Sequence, residues 1–182
     1  MNDVYIEQLV EKRPDPKSMM IRMLIVVAAV FVTFLPIIIE MLFIPPESQG
    51  SLLAVMPFTL AGSIWGAIIL FRRQNLEFEY ILANGEFDVD KIMGKRRRKR
   101  ILNSANCRNF DILAPMVPKY QHQYNNNQLK KLDVSSSHDA QDRWFAIFVG
   151  AKGVKTLLVF EPNEKMLEGL KKFVMRNKFM AQ

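Results

Sequence analysis

"LEFEYILANGEFDV", residues 76–89, alternates apolar and charged side chains on both sides of an Asn-Gly pair. Leu76, Phe78, Tyr80 and Leu82 share one face before the pair and Phe87 and Val89 share it after, against Glu77, Glu79, Glu86, Asp88 and Asp90. A period of two is the mark of a half-buried strand, and Asn-Gly supplies the two positive-φ residues that a two-residue hairpin turn requires. Such a turn sets Leu82 opposite Phe87 and Tyr80 opposite Val89, so the apolar faces match in one register only. The same register opposes Glu79 to Asp90, a like-charge pair that costs stability.

Downstream, shorter segments read as further strands: about 97–103, 107–113 ("CRNFDIL"), 129–136 ("LKKLDVSS"), 142–149 ("DRWFAIFV") and 153–160 ("VKTLLVFE"), the last two joined through "GAKG" as a second hairpin. Residues 115–128, "PMVPKYQHQYNNNQ", have no apolar period and read as the most mobile loop of the domain. A closing helix begins near Pro162, with Glu164 at its positive end and Lys171, Lys172, Arg176 and Lys178 toward the other. Met166, Leu167, Leu170, Phe173 and Val174 form its apolar stripe. Seven antiparallel strands followed by one amphipathic helix is the element order of a pleckstrin-homology-like barrel capped by a C-terminal helix.

Upstream, the period disappears. Residues 19–44 and 52–71 hold most of the aliphatic side chains, with Arg22 and Glu40 the only charges in either run. Each is as long as a bilayer-spanning helix, which needs about 20 apolar residues, and neither carries the polar stripe of a soluble amphipathic helix. The first run is too long for a secretory signal and is followed at once by the second, so it is retained. Pro36 and Pro57 are tolerated in such helices, and Glu40 is placed within reach of interfacial water. Lys12, Arg13, Lys17 and Arg22 precede or open the first run and Arg72 and Arg73 close the second, whereas "PPESQGS" between them has no cation. Basic flanks stay on the cytoplasmic side, so both termini are expected inside. The expected organisation is a cytoplasmic N-terminal segment over 1–17, a two-helix transmembrane hairpin over 18–72 and a cytoplasmic domain over 73–182. The lone Cys107 fits a reducing compartment.

The span pair, the "EFEYILANGEFDVDKI" hairpin, the "KRRRKRIL" run followed by "FDILAP", and the final helix together resemble a small family of bacterial (Firmicutes) proteins with two spans and a cytoplasmic pleckstrin-homology-like domain. The resemblance covers residues 17–180 and implies that architecture. It implies no catalytic residues and no established activity.

The residues themselves offer little chemistry. His122, His138 and Cys107 lack the compact spacing of zinc ligands. "SSSHD" holds serine, histidine and aspartate, yet a triad is defined by geometry and adjacent residues in a turn do not make one. "GAKG" has neither the spacing nor the helix of a phosphate loop, and Trp144 reads as a core or half-buried strand residue. No enzyme activity, cofactor or metal is expected.

What stands out is charge. Lys95, Arg96, Arg97, Arg98, Lys99 and Arg100 are consecutive, and from Arg72 onward 21 lysines and arginines face 12 acids. Part of the run has a structural use, because Arg98, Lys99 or Arg100 on the next strand would relieve Glu79 and Asp90. The hairpin leaves the bilayer and returns after roughly 25 Å each way, at ~3.3 Å per residue, which sets the basic turn near the membrane. Basic clusters just inside a span attract anionic phospholipid head groups at about 1 kcal/mol per cation. The run lacks interleaved aromatics, so nucleic acid is set aside. The expectation is a multi-pass cell-membrane protein whose domain is an interaction module for lipid or for a membrane or cytoplasmic protein. The alternative is an accessory subunit bound to a larger transporter-like complex through its spans.

Overall fold

The computed structural model describes residues 3–46, 50, 52–150 and 153–180. The chain divides into two compact units, Pro14–Asn75 and, discontinuously, Met1–Arg13 with Leu76–Gln182.

The first of these is helical: α1 (Pro16–Phe43), a 3-10 turn (Leu52–Val55) and α2 (Met56–Gln74). Its polarity is inverted relative to a soluble helix pair. Among the described residues α1 buries only Thr33, Pro36 and Glu40, and α2 buries none, while Met20, Val27, Phe31, Leu42, Phe58 and Trp65 stand exposed. Thr33 Oγ1 lies 2.8 Å from Ser63 Oγ, and Thr59 Oγ1 donates to the Met56 carbonyl at 2.9 Å. Small polar residues inside and aliphatic ones outside is the arrangement that lipid favours. Both helices are long and apolar enough to cross a membrane. Glu40 is buried and accepts a hydrogen bond from the Gly50 N–H, holding the connection between the helices. Residues 47–49 and 51 of that connection, like Ala151 and Lys152 of "GAKG", lie outside the described residues.

The second unit is built on two four-stranded sheets. In one, β1 (Tyr5–Glu11), β2 (Leu76–Ala83), β3 (Glu86–Met93) and β4 (Arg97–Asn106) lie side by side in that order. The hairpin forms as its sequence dictates: Asn84 and Gly85 have φ of 49° and 92°, and Leu82 opposes Phe87, Tyr80 opposes Val89 and Glu79 opposes Asp90. The other sheet has the order β5 (Phe110–Pro115), β7 (Trp144–Val149), β8 (Lys155–Phe160), β6 (Lys130–Asp133).

Three expectations change. There are eight strands among the described residues, not seven, because residues 5–11 form β1, antiparallel to β2 from Tyr5↔Ala83 to Glu11↔Glu77. Of the segment set apart as 1–17, the part up to Arg13 therefore belongs with the domain, and the helical unit, Pro14–Asn75, is an insertion between two neighbouring strands. β1 escapes a period-two search because Gln8 stands between the inward residues Ile6 and Val10. Its side chain has a use there: Nε2 donates to the Glu161 carbonyl at 2.6 Å and Oε1 accepts from Asn163 N–H at 2.8 Å.

Secondly, β6 runs parallel to β8. Since β5 and β8 are both antiparallel to β7, β5 and β6 point the same way, and joining them takes a crossover of a dozen or more residues. That crossover is the expected mobile loop, and it is not bare loop. It contains a 3-10 turn (Pro118–Tyr120) and the one-turn α3 (Gln121–Tyr124), and it lays Met116, Tyr120 and Tyr124 over Ile112, Phe145, Ile147, Leu157 and Val159. This sheet is thus covered on both faces, which is why "WFAIF" and "LLVF" read as continuous rather than alternating runs.

Thirdly, the closing helix α4 (Glu164–Phe173) is shorter than its basic tail. Asn163 caps it by accepting from Met166 N–H at 2.8 Å. Residues 178–180 leave the helix and pair with Leu113 of β5 through two backbone bonds of 2.9 Å. One core joins both sheets and α4, with Tyr80, Phe87, Phe110, Phe160, Met166 and Leu170 fully buried. Phe173 is only half-buried, its ring lying over Gly85 of the hairpin turn.

Candidate functional site

The six cations occupy a turn and the start of an edge strand. Gly94 and Lys95 both have φ of 59°, and Arg96 N–H donates to the Met93 carbonyl at 3.3 Å, the φ pattern of a type I′ turn. β4 then pairs with β3 from Met93↔Arg97 to Glu86↔Asn106, with a bulge where Ser104 takes φ of 47° and its N–H donates to Asp88.

This register divides the run into two sets. Arg98 and Arg100 fall on the same face as Glu79 and Asp90: Arg98 Nη2 lies 2.9 Å from Glu79 Oε2 and 3.1 Å from Oε1, and Arg100 Nε lies 3.0 Å from Asp90 Oδ1. The bond to Asp90 comes first in holding the Arg100 guanidinium above its ordinary pKa. The Asp90 side chain is only 3% exposed, so Arg100 is the counter-ion of a buried carboxylate rather than a surface ornament. Lys95, Arg96, Arg97 and Lys99 are exposed and have no carboxylate within ion-pair distance among the described residues, and Lys99 stands opposite Lys91.

The position of this second set is fixed by the ladder. Met93 pairs with Leu76 and Glu77 with Glu11, and Lys12 N–H donates to the Leu76 carbonyl at 2.8 Å. The turn therefore sits at the end of the sheet where the chain leaves for the helical unit and where it returns. Lys12 and Arg13 lie at the same end, Arg13 held by its N–H to the Ser136 carbonyl at 2.8 Å.

Beside the turn, on the face of the sheet away from the core, is an open groove of about 420 Å³. Leu9 and Glu11 of β1, Glu77 and Glu79 of β2, Ile92 of β3, and Lys95, Arg96 and Arg98 line it. Sequence reasoning passed over its acidic half, because Glu11 belongs to the unrecognised β1. The signal available was Glu77, an acid on the outer face of a strand whose partner was unknown.

A family model described as Bacterial PH-like domain (DUF6106) matches residues 2–180. The chain belongs to this family. The match begins ahead of β1 and runs past α4, so the inserted helices lie inside it. No match was found among curated proteins or among solved structures.

Elsewhere in this PH-like domain, Ser135 and His138 of "SSSHD" meet at Asp133. Ser135 Oγ donates to Asp133 Oδ1 at 2.5 Å and His138 Nδ1 lies 3.2 Å from Asp133 Oδ2, so both face the aspartate and the serine has no histidine to activate it. Ser136 gives its N–H and hydroxyl to Glu161 Oε1, at 2.8 and 3.0 Å. Tyr80 donates to the Val134 carbonyl at 2.6 Å, and burial pushes its hydroxyl up. Cys107 is buried in the common core, which pushes its thiol up to about 12. Trp144 is half-buried, its ring 5.7 Å from that of Phe179.

Proposed function

We propose that this protein is a membrane-anchored, non-enzymatic interaction module, in which α1 and α2 span the cytoplasmic membrane with both termini inside and the PH-like domain docks its basic turn on anionic phospholipid head groups. One observation carries the reading: Lys95, Arg96, Arg97 and Lys99, the cations of the run with no acidic partner among the described residues, gather at the end of the sheet from which both apolar helices depart. Arg98 and Arg100 are withdrawn from this role by Glu79 and Asp90. Lys12 and Arg13, at the same end of the sheet and without an ion pair among the described residues, add to this set. Family membership supports an interaction module, and the outward aliphatic faces of α1 and α2 support the bilayer.

The test uses the whole chain in nanodiscs. A fluorophore on Met93→Cys, in a Cys107→Ser background, should be quenched by head-group-labelled lipid in phosphatidylglycerol-containing discs and much less in pure phosphatidylcholine discs. The difference should fade as salt shortens the screening length to about 3 Å at 1 M. Equal quenching in both discs at low salt would refute it.

A further inference from the structure

The groove beside the turn carries charge of both signs, and only one pair of opposite charges in its lining is matched. Glu79 is taken by Arg98. That leaves Glu11 and Glu77 on one side and Lys95 and Arg96 on the other, with no ion pair between the two sets. Glu77 is the telling residue: it is 7% exposed, lines the groove, has neither hydrogen bond nor ion pair among the described residues, and is opposed across the ladder by a second carboxylate, Glu11. Its side chain is packed into the groove wall while its carboxylate oxygens are not buried, so they open onto the groove, where the donors of a ligand can reach them. Lys95 and Arg96 stand at the same groove with the donors an anion needs.

We propose that this groove binds the head group of an aminophospholipid, phosphatidylethanolamine, with the ammonium on Glu77 and Glu11 and the phosphate on Lys95 and Arg96. The proposal rests on the membrane reading above, since the lipid must reach the end of the sheet where the helices depart. Its chemistry makes the choice specific. A primary ammonium has three N–H donors for two carboxylates, joined to the phosphate by a short ethylene tether. The trimethylammonium of choline has no donor, and the groove has no aromatic side chain to form the cage that choline otherwise uses. The extra carboxylate of a serine head group would face Glu11 and Glu77 and be repelled. Glycerol head groups would meet only the cationic half. Ile92 of β3, between Glu77 and the turn, gives the ethylene tether an apolar floor.

The whole chain in neutral detergent micelles, titrated with short-chain phosphatidylethanolamine, phosphatidylcholine, phosphatidylserine and phosphatidylglycerol, separates these cases. Ethanolamine lipid should bind at least tenfold more tightly than choline lipid. Glu77→Gln should remove that preference while leaving phosphatidylglycerol binding unchanged or stronger, and Glu11→Gln, at an exposed site that leaves folding intact, should weaken it. Lys95→Ala with Arg96→Ala should weaken both ethanolamine and glycerol lipids. Free phosphoethanolamine should bind far more weakly than the lipid, and equal binding would make the ligand a soluble phosphate instead. Equal affinity for ethanolamine and choline lipids in the folded wild type overturns the proposal and leaves the groove to a lysine- or arginine-bearing protein segment. That outcome leaves anionic docking standing, whereas loss of phosphatidylglycerol binding alone would sink the docking reading.

Discussion

Gly169 is where the N-terminal strand meets the C-terminal helix, and a single methyl group there tests the whole arrangement. A Cβ at this position would come within 2.5 Å of Ile6 Cδ1 and 2.8 Å of Leu82 Cδ2. In an open helix, Gly→Ala stabilises by about 1 kcal/mol. Here the methyl must displace two side chains of a packed core, and such overpacking costs about 1–3 kcal/mol. The net expectation for Gly169→Ala is a loss of about 1 kcal/mol, or about 4 °C in Tm for a domain of this size. Ile6→Val removes the nearer obstacle, Cδ1, and alone should cost about 0.5–1.5 kcal/mol. In the double mutant the alanine gains room, Leu82 remaining the only neighbour to shift, so the two changes should cost at least about 1 kcal/mol less together than separately. Urea unfolding of the whole chain in neutral detergent, followed by Trp144 fluorescence in a Trp65→Phe background, reads both quantities. Strict additivity, with Gly169→Ala stabilising as in an exposed helix, would show that β1 does not lie under α4 and that the N-terminal segment is no part of the domain.

Leu170→Ala should destabilise by about 2–5 kcal/mol because Leu170 is fully buried, and Phe173→Ala should cost clearly less because its ring is half-buried. Arg100→Ala should lower Tm more than Lys99→Ala, since only the first leaves a buried carboxylate without its counter-ion. Above pH 9, the ordinary value for Cys107, the unfolded chain gives up a proton that the folded chain keeps up to about 12, so stability should fall across that window and Cys107→Ala should flatten the fall. With Cys107 replaced by Ser, a cysteine at Ser48 should react with an impermeant thiol reagent on intact cells and one at Asp139 should not, and the reverse pattern would invert the proposed topology.

Local patterns in the sequence were enough for the two hairpins and the long helices, whose partners are close by along the chain. The β2–β3 hairpin and its register follow from Asn84-Gly85 and the alternation around it, because turn geometry and face matching act over a few residues. The two long apolar helices follow from composition, and the neutralising role of Arg98 and Arg100 from counting along a ladder already in register. Tertiary structure alone decided that residues 5–11 are a strand of the distant domain. Gln8 breaks their period, and their partner β2 lies beyond the whole helical insertion, so nothing local favours the extended form. It decided likewise that β6 runs parallel to β8 under a crossover lined by Tyr120 and Tyr124, since strand direction depends on how β5, β7 and β8 stack rather than on any one of them. The groove belongs to this second kind: Glu11 and Glu77, far apart along the chain, become neighbours only because the ladder closes across the inserted helices, and a site assembled by long-range pairing leaves no spacing for a sequence to show.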